Sequence, residues 1–253
     1  FRGRLAASHR EVNGHIENAT LSTDDPDRVE KMARAWLEFD VNDNLTVSLK
    51  AEIGEFDVDG RQIEIVNELP VPGAPSPTNP FGGRTYSQIL AALGQDPSVL
   101  NNTADYVRSS NGDFSDNNTD EYVLQADWQL GENTLTLINS YSKYDFSELC
   151  DCDFTGGNVF SVIMDEEFDQ TSHEIRLTSP TGNKLEYILG AYYETSDLEF
   201  RDTIQVQSTS VLVPLLNANP AFNGTPLQGI AGTAVAATGT PISKSKVSGS
   251  ILR

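Results

Sequence analysis

Hydrophobic and polar residues alternate with a period of two along much of this chain. Leu45, Val47, Leu49, Ala51 and Ile53 alternate with Thr46, Ser48, Lys50 and Glu52, which predicts a strand with one apolar and one polar face. Tyr122, Leu124, Ala126, Trp128 and Leu130 alternate in the same way with Val123, Gln125, Asp127 and Gln129. Residues 173–177 and 185–189 are shorter instances. Near the start, Phe1, Leu5 and Ala7 oppose Arg2, Arg4, Ser8 and Arg10, while Trp36 stands among polar neighbours within 33–41. Residues 134–146 mix the two patterns, and no face is assigned to them.

The connectors carry more information than any one strand. With strands near 1–12, 30–41, 45–57, 119–130, 134–147, 169–178, 185–200 and 242–253, the links after the second, fourth and sixth are short and rich in Asn, Asp and Gly: residues 42–44, 131–133 and 179–184. Such residues favour tight turns. The other links, near 13–29, 58–118, 148–168 and 201–241, are far longer than the roughly 2–5 residues of an ordinary hairpin loop. An antiparallel meander with all its tight turns at one end and all its long loops at the other has the layout of an outer-membrane barrel. Two of the long links have a character of their own. Residues 70–83 are proline-rich and unsuited to a sheet interior, and 86–93 read as one short helix over that loop. Residues 217–241 approach low complexity.

Composition narrows the classes. No stretch of the 253 residues nears the roughly 18 consecutive apolar residues of a membrane helix. The mean hydropathy of −0.35 leaves a strand-built membrane protein open, because barrel strands need only about 10 alternating residues. With 17 basic and 37 acidic residues the net charge is −20, so nucleic acid is not expected as a partner. The chain starts at Phe1 without an initiator Met and stops at Arg253 inside a strand pattern; it reads as a piece of a longer protein.

Three passages carry a family resemblance. Residues 1–18 (FRGRLAASHREVNGHIEN) resemble the early barrel strand and first loop of TonB-dependent outer-membrane receptors. Residues 170–180 (QTSHEIRLTSP) followed by 185–193 (LEYILGAYY) are similar to that family's recurrent strand, turn and strand, and 133–145 (NTLTLINSYSKYD) to its middle hairpin. The resemblance spans most of the strand-forming chain and fades in the two longest loops. It implies an all-β fold, an antiparallel transmembrane β-barrel segment contributing about eight strands to a barrel of about 22, with short periplasmic turns, long extracellular loops and a location in the outer membrane of a Gram-negative bacterium. It further implies two partners not matched by any residue here: a plug domain in the same full-length chain and a TonB-type periplasmic protein. Residues 1–253 are then a fragment of one barrel domain, without a cofactor, in contact with outer-membrane lipid and with a small-molecule or metal-chelate ligand.

Individual residues add little chemistry. Cys150 and Cys152, in an acidic segment with Glu148, Asp151 and Asp153, are read first as a loop disulfide or inert thiols, and second as half of a soft-metal site. Asp57-Val-Asp-Gly60 begins like a calcium loop but lacks its later ligands, and reads as an acidic strand end. Asp113, Asp116, Asp120 and Glu121 read as a solvated loop face, with ion bridging as the sharper alternative. Trp128 and Tyr122 fit aromatic girdles, with core packing as the alternative; Tyr187, Tyr192 and Tyr193 fit less cleanly. His9, His15 and His173 are scattered. No nucleophile elbow, phosphate loop or zinc-protease motif occurs, so no enzyme is expected. The triplets at Asn18 and Asn118 mark polar loops.

Two functions follow as expectations. The first is part of an energy-coupled transporter for ferric siderophores or a similar bulky nutrient, with Thr46, Ser48, Lys50, Glu52, Gln125 and Asp127 facing the lumen. The second is a secreted all-β binding or adhesion module with an acidic surface. The two are separated by whether the Leu45 to Ile53 apolar face looks outward or packs against a second sheet.

Overall fold

The structure is a computed structural model that describes residues 1–207, 209–214 and, as backbone, 244–252; the low-complexity stretch 217–241 lies outside the described residues. Its strands are β1 (Arg2–Val12), β2 (Ile16–Asn18), β3 (Thr23–Asp25), β4 (Asp27–Asn42), β5 (Leu45–Asp59), β6 (Val107–Arg108), β7 (Phe114–Leu130), β8 (Asn133–Cys150), β9 (Ser161–Thr178), β10 (Ile188–Gln205) and β11 (Lys244–Leu252); α1 (Tyr86–Ala92) is a short helix in the loops. Eight of them form a single antiparallel sheet in the order β1-β4-β5-β7-β8-β9-β10-β11. The sheet is open, with β1 and β11 at its edges. The short β3, β2 and β6 make a second sheet in the loops.

Register explains the alternation. Leu45, Val47, Leu49 and Ala51 pair with Trp128, Ala126, Leu124 and Tyr122, and Trp128 and Ala126 pair with Leu135 and Leu137 on β8. Because side chains of paired residues share a face, these residues form one continuous apolar surface. It is uncovered among the described residues: Ile53 is 51% exposed, Leu124 46% and Trp128 48%. Among the described residues no second sheet packs on it. The opposite face carries a ladder of ion pairs and hydrogen bonds: Arg34 Nε to Glu52 (2.5 Å), Lys50 Nζ to Glu121 (2.8 Å) and Glu52 (3.2 Å), and Gln125 Nε2 and Thr136 Oγ1 to Asp127 (both 2.7 Å). Trp36 belongs to this polar face, paired with Arg4 and Lys50 across its strands. An apolar outside and a hydrogen-bonded polar inside are what a strand wall between lipid and a wet lumen requires.

Most strands run several residues further toward the long loops than periodicity indicates, and β9 starts at Ser161 rather than near 169. Toward the long loops the alternation changes phase. On β5, Glu55, Asp57 and Asp59 take the outward positions while Phe56 and Val58 turn inward. On β8 the outward Leu135, Leu137 and Tyr141 give way to outward Lys143 and Asp145 with inward Tyr144 and Phe146. β9 and β10 repeat the change with inward Phe168, Leu198 and Phe200. Near the long loops the outer surface carries charged side chains and the inner one aromatic and apolar ones, so the apolar side swaps. This phase change is why residues 134–146 resisted assignment.

Aromatic rings mark the crossover. Tyr122 and Tyr141, paired neighbours on the outward face, stack with centroids 6.5 Å apart, and His173 stacks on Tyr193 at 6.3 Å, with its Nδ1 2.7 Å from Asn139 Oδ1. The unbroken outward apolar run that starts at the tight turns ends nearer to them on β9 (Ile175) than on β5 (Ile53). A level membrane boundary drawn across tilted strands shifts register in this way.

Candidate functional site

Three long connections, 13–26, 60–113 and 151–160, close over the outer end of the sheet as one body. β2 pairs antiparallel with β3 inside the first connection and parallel with β6 of the second. At Gly60 the chain leaves β5 with φ +84°, and a Cβ there would lie 2.4 Å from the Asp25 carboxylate. Only glycine fits that close approach and that backbone region. Asp57 and Asp59 lie within β5 itself, so the acidic run is the end of a strand.

The centre of the body is a buried arginine. Arg108, 3% exposed, donates from Nη2 to Asp113 Oδ2 (2.5 Å) and from Nη1 to the Arg61 carbonyl (2.8 Å), with Asp25 Oδ2 at 3.5 Å. Arg61 pairs with Glu148 and lies 3.7 Å from Asp113. Asn18, fully buried, donates to Asp25 (3.1 Å) and accepts from the Ser110 amide (3.3 Å). Asp151 accepts from Ser110 Oγ (2.8 Å) and the Asn111 amide (2.7 Å), and its own amide donates to Asp113 Oδ1 (2.7 Å). Asp153 accepts from the Thr155 amide (2.9 Å) and hydroxyl (2.5 Å). Each buried carboxylate thus has donors, as burial demands.

Electrostatics follow from that burial. Burial, with Asp153 adding repulsion, pushes the Asp151 carboxyl up to about 6. Burial also raises Asp153 and Asp25, the latter against the opposing pull of Arg108. Beside this polar centre α1 supplies an apolar one: Leu90, Val159 and Val211 are buried together with Tyr86, Val99 and Phe160 around them, and Tyr86 Oη donates to the Asp153 carbonyl (2.9 Å).

The residues singled out from the sequence fall unevenly. Cys150 and Cys152 are bonded to each other at the β8 end of the loop body. The acidic set does not stay together: Asp113 is buried on Arg108, Asp116 and Asp120 face outward, and Glu121 faces inward on Lys50. The solvated loop face expected for Asp113 is corrected by its ion pair, since a carboxylate enclosed beside two arginines is held there by them. His9, His15 and His173 are not assembled, and among the described residues no group of three or more His, Cys, Asp or Glu side chains is placed to hold a metal. Sequence reasoning missed Arg108, Asn18 and Asp25 because no periodicity links residues so far apart.

These features define a class of architecture: an antiparallel transmembrane β-barrel segment with tight turns at one end and knitted loops at the other. No protein-family profile matches the chain, and no curated protein matches it in sequence. Among solved structures it is similar to the ferric yersiniabactin uptake receptor FyuA from Yersinia pestis, with a TM-score of 0.54 and 12% identity over 81% of this chain. The chain spans 27% of that receptor's length. At this identity the likeness is one of fold.

Proposed function

We propose that this chain is part of an energy-coupled, TonB-dependent outer-membrane transporter that takes up ferric siderophores or a similar bulky nutrient. The observation that carries the reading is the two-faced wall: an uncovered apolar band outside, an ion-paired polar face inside, and a change of phase where the strands leave the band. The similarity of fold to a ferric siderophore uptake receptor supports it. On this reading the inner face meets a plug domain and passing cargo, the loop body receives ligand from outside, and a TonB-type protein supplies energy from the periplasm. Nothing in the reading requires catalysis. A secreted sandwich would bury the Leu45 to Ile53 face, whereas Leu49 and Ile53 are exposed and Leu45, Val47 and Ala51 only half-buried.

The test is uptake by cells carrying the full-length receptor. Radiolabelled ferric chelates should accumulate only when the receptor is present, and accumulation should cease when the proton gradient is collapsed or the TonB-type partner is deleted. Accumulation that survives both treatments would indicate a passive pore and overturn the reading.

A further inference from the structure

Cys150 and Cys152 are the only cysteines of the chain and are bonded to each other. They stand where β8 ends and the third long connection begins. Their sequence separation is 2, so the ring they close encloses one residue, Asp151. A ring that short restrains the unfolded chain least, because the entropy a disulfide removes grows with loop length. What the bond fixes is local: the direction in which Asp151 leaves the end of the strand.

At Asp151 the second connection hangs on the third. The residue is 3% exposed. Its Oδ2 accepts from Ser110 Oγ (2.8 Å) and the Asn111 amide (2.7 Å), and its own amide donates to Asp113 Oδ1 (2.7 Å). Asp113 is also the partner of Arg108, so the same contacts reach the charged centre of the loop body. The Asp151 carbonyl accepts from the Phe154 amide (3.0 Å), which turns the chain back just past Cys152. Burial pushes the Asp151 carboxyl up, so its ionised form is better solvated outside the body than within it. An Asp151 able to turn would leave. What restrains it is the disulfide that ties its two neighbours together.

We propose that the Cys150–Cys152 disulfide is a redox-sensitive latch on the loop body: bonded, it aims Asp151 at Ser110, Asn111 and Asp113; reduced, it lets Asp151 reach water and residues 107–113 part from 151–160. The latch acts within the loop body whatever the cargo, and it stands apart from the transporter reading. Access to sulfur sets the order of events. Cys150 is 1% exposed and Cys152 half-buried, so the thiolate of a small dithiol attacks Cys152 Sγ. The S–S electron pair leaves on Cys150 Sγ, which takes up a proton. The reductant's second thiolate then displaces Cys152 Sγ, which is protonated in turn, and the dithiol departs as its own cyclic disulfide, oxidised by two electrons. Reclosure needs an oxidant.

The test is amide hydrogen exchange on purified full-length receptor, oxidised or treated with dithiothreitol, with mass spectrometry counting the hydrogens gained on reduction. Reduction should lower the protection of residues 107–113 and 151–160 by about tenfold or more, as the loss of one hydrogen bond to a charged group would, and leave residues 133–147 of β8 unchanged. Oxidised glutathione should restore the protection. With Asp151→Ala the bonded receptor should already exchange at the reduced rate and dithiothreitol should add nothing, because both changes remove one and the same interaction. Cys150→Ser combined with Cys152→Ser should match reduced wild type; where that variant does not fold, reduction of the folded wild type decides. A bond that dithiothreitol leaves intact in the folded receptor, full reduction with unchanged protection, or losses that add to those of Asp151→Ala would each overturn the latch. Loss of protection throughout β8 would overturn it as well, since it would mark the bond as a general staple.

Discussion

At the scale of single residues, Arg108 illustrates how charge is used in this protein. Its guanidinium faces Asp113 and Asp25 from inside the loop body, so removing it leaves buried carboxylates uncompensated. Arg108→Met should destabilise the body by about 3–5 kcal/mol, read as faster hydrogen exchange at residues 13–26, 107–113 and 151–160 of the full-length receptor, with the membrane strands unaffected. Asp151 yields a pH dependence of definite sign. Its folded-state value of about 6 lies above its ordinary 3.8, so protonation favours the folded loops; the contribution is fully present below about 3.8 and is lost as pH rises through about 6. Linkage bounds the effect at roughly 3 kcal/mol. Protection of the loop amides, each rate taken relative to its intrinsic base-catalysed rate at the same pH, should therefore be greater at pH 5 than at pH 7.5, and Asp151→Asn should flatten that difference. None of this was legible beforehand. Asn18 read as a surface triplet and Asp113 as a solvated acid, because the loop packing that encloses them brings in distant segments, Ser110 to Asn18 and Asp151 to Asp113, beside their nearer partners Asp25 and Arg108.

At the scale of elements, the strands were legible wherever one face meets lipid and the other a wet lumen. Residues 45–53 and 122–130 alternate cleanly for that reason, and both lie within strands paired in register. The faces should respond differently to the same substitution. Leu124→Arg, outward in the apolar band, should cost about 2–4 kcal/mol, whereas Gln125→Arg, one residue on but inward beside Asp127, should be nearly neutral; urea titration of the receptor folded into lipid vesicles measures both. The upper halves of β8, β9 and β10 were illegible or underestimated because their apolar positions change sides. A strict period-two template counts that change as the end of a strand. The helix at α1 was legible as a short segment following the proline-rich stretch, whereas its burial against Val159 and Val211 was not.

At the scale of the whole molecule, the transporter reading puts the loop body on one side of the membrane and the tight turns on the other, following the unequal connectors. Single cysteines introduced into the full-length receptor test that polarity. Asn102→Cys, in the second long connection, should react with a membrane-impermeant maleimide on intact cells, and Glu132→Cys, in the β7–β8 turn, only after the outer membrane is permeabilised; the reverse result would invert the orientation. The amino-acid sequence by itself determined the strand rhythm, the antiparallel order and the asymmetry of the loops, since each depends on neighbours within a few residues and on the period of the backbone. Only the tertiary structure decided which carboxylates are buried and where the apolar face changes sides. Those outcomes depend on side chains brought together by register and loop packing, and water and lipid act on the assembled surface rather than on the linear chain.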